Sequence, residues 1–316
     1  MNWNPKVPFH LDVNERTQRS NVFMRAWTCS CREDFVSSPS RLSASIVGGL
    51  SLWPALSLRG PLALHAQIGE LPVRERMVME AVFFDLDDTL VLTHAADKSA
   101  HRAVTRLLAA HLPHIDHQAV LDCFLVHFVS EPWDPHHQID VTEWRSQLWN
   151  RGLLCQNVDD MDLARDLQSC FDSERLLAFR WSDGVEALVM GLRSHDVKVG
   201  IITNGHSKVQ RAKLKACKAE NLFTVILVGG EESNEKPHKE IFLKACKMAG
   251  CEPEKAIMVG DNLKTDIQGG LNANFLATIW VDVHGVGITM ECPKPHHVVR
   301  NIFELHDILK QYGCAA

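Results

Sequence analysis

From residue 81 onwards the chain alternates between short apolar runs and amphipathic stretches, which constrains its fold more than any other feature. The apolar runs are typical of strands buried on both faces of a sheet, and the amphipathic stretches are typical of helices. The predicted strands are 81–85, 197–203, 224–228, 256–260 and 276–281, and the predicted helices between the later ones are 184–194, 207–218, 238–249 and 264–274. This order predicts an α/β fold, a Rossmann-like parallel sheet with helices on both faces.

A long helical block interrupts the alternation between the first and second predicted strands. Residues 93–183 contain no strand pattern, so we predict an inserted helical cap domain on an α/β catalytic core formed by 79–92 and 184–316. The insertion follows the strand that carries an acidic cluster. It is therefore expected over the carboxyl ends of the strands, where open α/β sheets bind their ligands.

The first 78 residues differ from the rest of the chain in charge and in pattern. They carry nine Lys and Arg against six Asp and Glu, whereas the whole chain has a net charge of −6. They show no sustained hydrophobic period, so we predict a mostly disordered extension. A shorter chain starting at Met77 or Met79 is expected to keep the whole catalytic unit. The Arg- and Ser-containing start resembles a mitochondrial transit peptide only weakly, because it also contains acidic residues.

Composition narrows the class of partner and the cellular location. The net negative charge argues against nucleic acid as the main partner. No apolar run approaches the length of about 20 residues that a membrane-spanning helix needs. The ten cysteines are scattered singly, which favours free thiols, Cys123 and Cys155 included, in a reducing cytoplasm over a disulfide framework.

The first group of candidate site residues follows the first predicted strand. Asp85 and Asp87 lie two positions apart, so in extended chain their side chains share a side. Two carboxylates side by side repel each other and form a site for a hard cation. A solvated acidic turn is the ordinary alternative. The four apolar strand residues before Asp85 favour a functional site.

Three further polar groups follow later predicted strands. Thr203-Asn204-Gly205 offers donors for phosphate oxygens at a turn, although Asn-Gly is also an ordinary turn. Lys236 is a candidate phosphate-binding cation, although a lone lysine usually lies on the surface. Asp261 can complete a cation site. Asp266 is then expected to hold either the ligands of that cation or Lys236 in place. In parallel strands all these groups meet at one edge of the sheet.

Together these motifs resemble the haloacid dehalogenase superfamily over residues 81 to about 310. The resemblance implies that superfamily's fold and a Mg²⁺-dependent phosphatase that acts through an aspartyl phosphate. It implies the following roles: nucleophile, Asp85; general acid and then base, Asp87; Mg²⁺ ligands, the Asp85 side chain, the Asp87 main-chain oxygen and Asp261; phosphate binding, Thr203, Asn204, Gly205 and Lys236; outer support, Asp266.

The run 259–273 and the residues around Glu235-Lys236-Pro237 resemble one subfamily of sugar-phosphate phosphatases within this superfamily. This resemblance implies a small phosphorylated sugar as substrate, with another sugar phosphate or a nucleotide phosphate as the alternative. Asp88 departs from the subfamily, which usually has Asn there. The sequence gives no expectation for the oligomeric state.

Three other functions compete with the phosphatase hypothesis. A dehalogenase has no leaving alkoxide to protonate and little need for Asp87 or a metal, so Asp87 and Asp261 argue against it. A phosphomutase must protect its phosphoenzyme from water, which the sequence leaves open. A non-catalytic binding module is expected to have lost one of four groups, and all four are present: Asp85, Asp87, Lys236 and Asp261.

Overall fold

The computed structural model describes residues 78–131 and 139–313. The predicted extension, 1–78, lies outside them except for Val78. Six strands form one parallel sheet in the order β3-β2-β1-β4-β5-β6, which places the first strand at the centre. Their bounds are β1 Ala81–Phe84, β2 Lys198–Thr203, β3 Val225–Val228, β4 Ala256–Gly260, β5 Ala277–Val281 and β6 His297–Val299. The parallel sheet is the fold class that the alternating pattern predicts.

Helices lie between most of the strands and after the last one. The first four in the described residues, all between β1 and β2, are α1 Thr93–His111, α2 His117–Ser130, α3 Val141–Leu154 and α4 Met161–Ala178. The later ones are α5 Val185–Ser194, which also precedes β2, α6 Ser207–Ala216, α7 Lys239–Ala249, α8 Gln268–Asn272 and α9 Leu305–Gln311. Within the described residues no helix has the length and apolar character needed to cross a membrane.

Two elements near the carboxyl end differ from the sequence expectation. The pattern predicts five strands, but β6 adds a sixth, which pairs in parallel with β5. Its three residues are too few to give a recognisable alternation. The predicted helix 264–274 is a π-helical turn, Leu263–Ile267, that continues into α8.

The apolar side chains form clusters on the two sides of the sheet and a third among α1–α4. The strands supply alternate residues to the two sheet clusters, Phe84 to one and Phe83 to the other. The third cluster centres on Trp149, which is fully buried and stacks on Phe124. The four helices thus bury a core of their own.

The cysteine expectation is wrong at one pair. Cys123 on α2 and Cys155 directly after α3 form a disulfide, although 32 positions separate them in the sequence. Sequence spacing gives no sign of this pair, because only the packing of α2 against α3 brings the two sulfurs together. Five further cysteines in the described part of the chain are free: Cys170, Cys217, Cys246, Cys251 and Cys292.

Candidate active site

Strand register brings the predicted site residues to one edge of the sheet. Phe84, the last residue of β1, pairs with Ile201 of β2 and Val259 of β4. The neighbouring strands end within two residues of these partners, β2 at Thr203 and β4 at Gly260, so the residues that follow the three strands lie at the same edge. Asp85 stays attached to β4 through its amide, which donates to the Val259 carbonyl at 2.9 Å.

Lys236 lies at the centre of the site, between two carboxylates. Its Nζ donates to Asp85 Oδ1 and to Asp266 Oδ1, both at 2.6 Å. Lys236 is only 3 % exposed, Asp85 6 % and Asp266 0 %. The lysine thus joins two carboxylates from distant parts of the sequence, since Asp85 is 151 positions and Asp266 is 30 positions away from it.

The loop that carries Lys236 is attached to the end of β2. The Asn204 side chain donates to the Lys236 carbonyl at 2.8 Å and accepts from the Lys236 amide at 3.0 Å. This side chain therefore positions the lysine. Gly205, with a φ of +116°, makes the turn beside it, a conformation that favours glycine.

Three carboxylates form the part of the site suited to a cation. Oxygen atoms of Asp85, Asp261 and Asp266 all lie within 4.8 Å of one another. Gly260 makes this approach possible, because a Cβ there would come within 2.2 Å of Asp266 Oδ2. Asp266 is also held by the Asn262 amide at 3.0 Å, so two protein donors already occupy its oxygens. Asp85 and Asp261 are the better placed direct ligands.

The charges of this cluster explain its pKa shifts. Burial raises the pKa of Asp85 to about 7, and the neighbouring Asp266 and Asp87 add to the rise while Lys236 opposes it. Burial and the charges of Asp85 and Asp266 also raise the pKa of Asp261 well above its usual value. One ammonium cannot balance three carboxylates, two of them buried and Asp261 partly buried, so protons or a cation must supply the missing positive charge.

The Asp87 side chain is held by a separate set of donors. Lys213 Nζ contacts both carboxylate oxygens, at 2.7 and 2.8 Å. Thr93 Oγ1 donates at 2.6 Å and Gln210 Nε2 at 2.9 Å. Burial works to raise the pKa of Asp87, but the Lys213 ammonium and these hydrogen bonds outweigh it and lower the pKa to about 2.

Thr203 and Asp88 complete the surroundings. Thr203 is 1 % exposed, and its hydroxyl accepts from Gln210 Nε2 at 2.6 Å, so Gln210 bridges Thr203 and Asp87. Asp88 has a φ of +54° and contacts His94 of α1 through both the ring and the backbone amide. The hydrogen bond to Asp88 raises the pKa of His94.

Sequence reasoning missed Lys213, Gln210 and Thr93. The available signal was weak: Gln210 and Lys213 lie three apart on α6 and therefore share a helix face. That face is buried, whereas lysines and glutamines on an amphipathic helix are normally exposed.

Known proteins are similar to this chain in sequence and in fold. Residues 79–274 match the haloacid dehalogenase-like hydrolase family. The chain belongs to this family. It is 34% identical to the N-acylneuraminate-9-phosphatase of Mus musculus over 240 residues, 75% of this chain and 96% of the mouse protein. It is 27% identical to the glyceraldehyde 3-phosphate phosphatase of Pyrococcus abyssi, over 74% of this chain and 93% of that protein.

A solved structure shows the same fold. The HAD-hydrolase YfnB from Bacillus subtilis aligns with a TM-score of 0.56 and 21% identity, over 73% of this chain and 99% of YfnB. At this identity the likeness shows the fold alone. The sequence relatives support a phosphoric monoester hydrolase.

Proposed function

We propose that this haloacid dehalogenase-like hydrolase is a Mg²⁺-dependent phosphatase that releases N-acylneuraminate and phosphate from N-acylneuraminate 9-phosphate. The observation that carries the catalytic part is the Asp85–Lys236 contact inside a three-carboxylate cluster. A buried carboxylate beside a fixed ammonium has the parts needed to attack a phosphate. The substrate rests on the similarity to the mouse enzyme along nearly its whole length.

The donor set fits Mg²⁺, which prefers oxygen ligands and carboxylates. Asp85 and Asp261 would hold it, together with the main-chain oxygen of Asp87. When bound, the ion supplies positive charge that offsets the negative charge of the phosphoryl group.

The first half-reaction needs a nucleophile and charge neutralisation. Asp85 attacks the phosphorus in line and forms an aspartyl phosphate as the sugar oxygen leaves. Two unit charges 4 Å apart repel by about 4 kcal/mol at an effective dielectric of 20, so the approach of Asp85 to a dianion must be offset. Lys236 places a positive charge beside the Asp85 carboxylate, and because both side chains are buried this charge acts more strongly than it would in water.

Asp87 supplies the proton transfers in this proposal. It protonates the departing sugar oxygen and then takes a proton from the water that attacks the aspartyl phosphate. In the substrate-free protein it is a carboxylate, the form that a base requires. A phosphate dianion arriving beside it favours the protonated form, which the first step requires.

The substrate is tested by measuring phosphate release from a panel with and without Mg²⁺. The panel contains N-acetylneuraminate 9-phosphate, hexose 6-phosphates, glyceraldehyde 3-phosphate and nucleoside monophosphates. We expect the highest kcat/KM for the first compound and no turnover after chelation. If hexose phosphates react equally well, the sugar assignment is wrong and the phosphatase assignment stands. Transfer of the phosphate within a hexose, without free phosphate, would instead show a mutase.

The same proposal gives the protein a small phosphorylated sugar as partner, a cytoplasmic location and a role in sialic acid biosynthesis. The substrate panel tests the first of these, and the biosynthetic role follows if N-acylneuraminate 9-phosphate is the preferred substrate.

A further inference from the structure

The α6 helix carries a buried cation that the proposed mechanism does not use. Lys213 is 4 % exposed, and its ammonium lies 5.4 Å from the centre of the Phe179 ring. The two Asp87 oxygens are its ion-pair partners. A buried lysine costs free energy unless it is paired, so its place on this helix calls for a reason beyond packing.

Gln210, one turn earlier on α6, contacts the same carboxylate. Its amide nitrogen donates to Asp87 Oδ2 and to Thr203 Oγ1. One side chain therefore links the proposed proton-transfer group to the hydroxyl proposed to bind phosphate. Thr93, at the start of α1, closes the set from the other side.

We propose that Lys213 and Gln210 are positioning residues that hold the Asp87 carboxylate for the second half-reaction, hydrolysis of the aspartyl phosphate. This inference rests on the proposed function. The carboxylate is the form whose oxygens accept these donors, and it is the form that takes a proton from water. Lys213 is centred on both oxygens, which fixes the rotation of the carboxylate as well as its place.

The two half-reactions can be separated with an aryl phosphate. The phenolate of p-nitrophenyl phosphate leaves without protonation, so formation of the phosphoenzyme does not need Asp87 as an acid. Hydrolysis of the phosphoenzyme still needs Asp87 as a base. A variant that no longer holds Asp87 in place is therefore expected to hydrolyse the phosphoenzyme more slowly but to form it at an unchanged rate.

The test uses the full chain with Mg²⁺ and p-nitrophenyl phosphate, in rapid-quench and steady-state experiments. For Lys213→Met we expect kcat to fall about tenfold or more, a part of the 10²- to 10⁴-fold that general acid–base catalysis contributes. We also expect a burst of nitrophenolate close to one equivalent per active site and a kcat/KM within about threefold of the wild-type value. Lys215→Met is the matched control, because Lys215 is exposed on the same helix.

A second variant keeps the inference testable if the Lys213 variant does not fold. Gln210→Leu keeps the ion pair and removes the bridge, and we expect the same burst with a smaller fall in kcat. A fall in kcat and kcat/KM by equal factors, with no burst, would overturn the positioning role, as would kinetics unchanged from Lys215→Met. If the wild type itself releases no phosphate from any ester, the proposed function fails instead.

Discussion

At the scale of single residues, the site is built on an unequal balance of charge. Asp85, Asp261 and Asp266 are opposed by one ammonium, Lys236. Burial works to lower the pKa of Lys236, but Asp266 and Asp85 outweigh it and raise the pKa above its usual value. Lys236 therefore stays charged, and a metal ion bound as we propose would displace protons from the carboxylates.

Replacement of Asp85, the proposed nucleophile, gives the most direct test of the site. Asp85→Asn keeps the shape of the side chain and an oxygen that can accept from Lys236, but it replaces the charged carboxylate by a neutral amide, which is a poor nucleophile. We expect kcat to fall by about a thousandfold or more, since no other group can form the covalent intermediate. Acid-quenched reactions with ³²P-labelled substrate should show no labelled protein. Labelled protein in this variant would contradict the role of Asp85.

The raised pKa of Asp85 predicts how the metal-free protein responds to pH. The pKa rises from 3.8 to about 7 on folding, so between about pH 4 and 7 the folded state binds more protons at Asp85 than the unfolded state. The contribution of Asp85 to the free energy of unfolding is thus complete below about pH 4 and is lost as the pH rises through 7. Urea unfolding with chelator should therefore show the wild type losing stability relative to Asp85→Asn over this interval. A constant difference would contradict the shift.

At the scale of secondary-structure elements, α6 joins several parts of the molecule. Beyond its contacts with Asp87, its Lys208 Nζ contacts Asp140, the N-cap residue of α3, at 2.9 Å. More than half of both side chains is exposed, so this ion pair is expected to add little stability. The buried contacts of Gln210 and Lys213 with Asp87 are therefore expected to stabilise the position of α6 more than the Lys208–Asp140 pair does.

The disulfide between α2 and the end of α3 predicts a measurable stability contribution. It closes a loop of 32 positions, and the chain-entropy relation gives about 3 to 4 kcal/mol for such a loop. Cys155→Ser should lower the melting temperature of the oxidised protein, and dithiothreitol should lower the wild type to a similar value. Cys170→Ser is the control, because Cys170 is free. Two titratable thiols at Cys123 and Cys155 in the oxidised protein would contradict the pair.

At the scale of the whole molecule, the site lies where the chain enters and leaves the four-helix segment. Asp85 precedes α1, and Thr93, the first residue of α1, contacts Asp87. The segment returns to the sheet near Ser182, whose amide donates to the Leu90 carbonyl at 2.9 Å. Both connections are therefore attached to the loop that carries the two aspartates.

Metal binding should couple to the stability of the whole protein. A ligand that binds only the folded state at 100 times its Kd adds about 2.7 kcal/mol to the free energy of unfolding. We expect Mg²⁺ to raise the melting temperature at pH 8 and to have a smaller effect at pH 5, where protons compete for the carboxylates. Asp261→Asn should abolish the Mg²⁺ effect. Equal stabilisation of this variant would contradict the assignment of Asp261 as a ligand.

The sequence by itself determined the parallel sheet and the residues that leave its strands, because a buried strand, a polar residue at its end and a following helix are local patterns. Asp85, Thr203 and Asp261 could be identified in this way. Only the tertiary structure decided that Lys236 pairs with both Asp85 and Asp266, that Lys213 and Gln210 hold Asp87, and that Cys123 meets Cys155. These contacts depend on how long side chains from distant segments pack together. A helix pattern specifies which face is apolar, but a lysine that is buried because it finds a carboxylate 126 positions away leaves no periodic signal in the sequence.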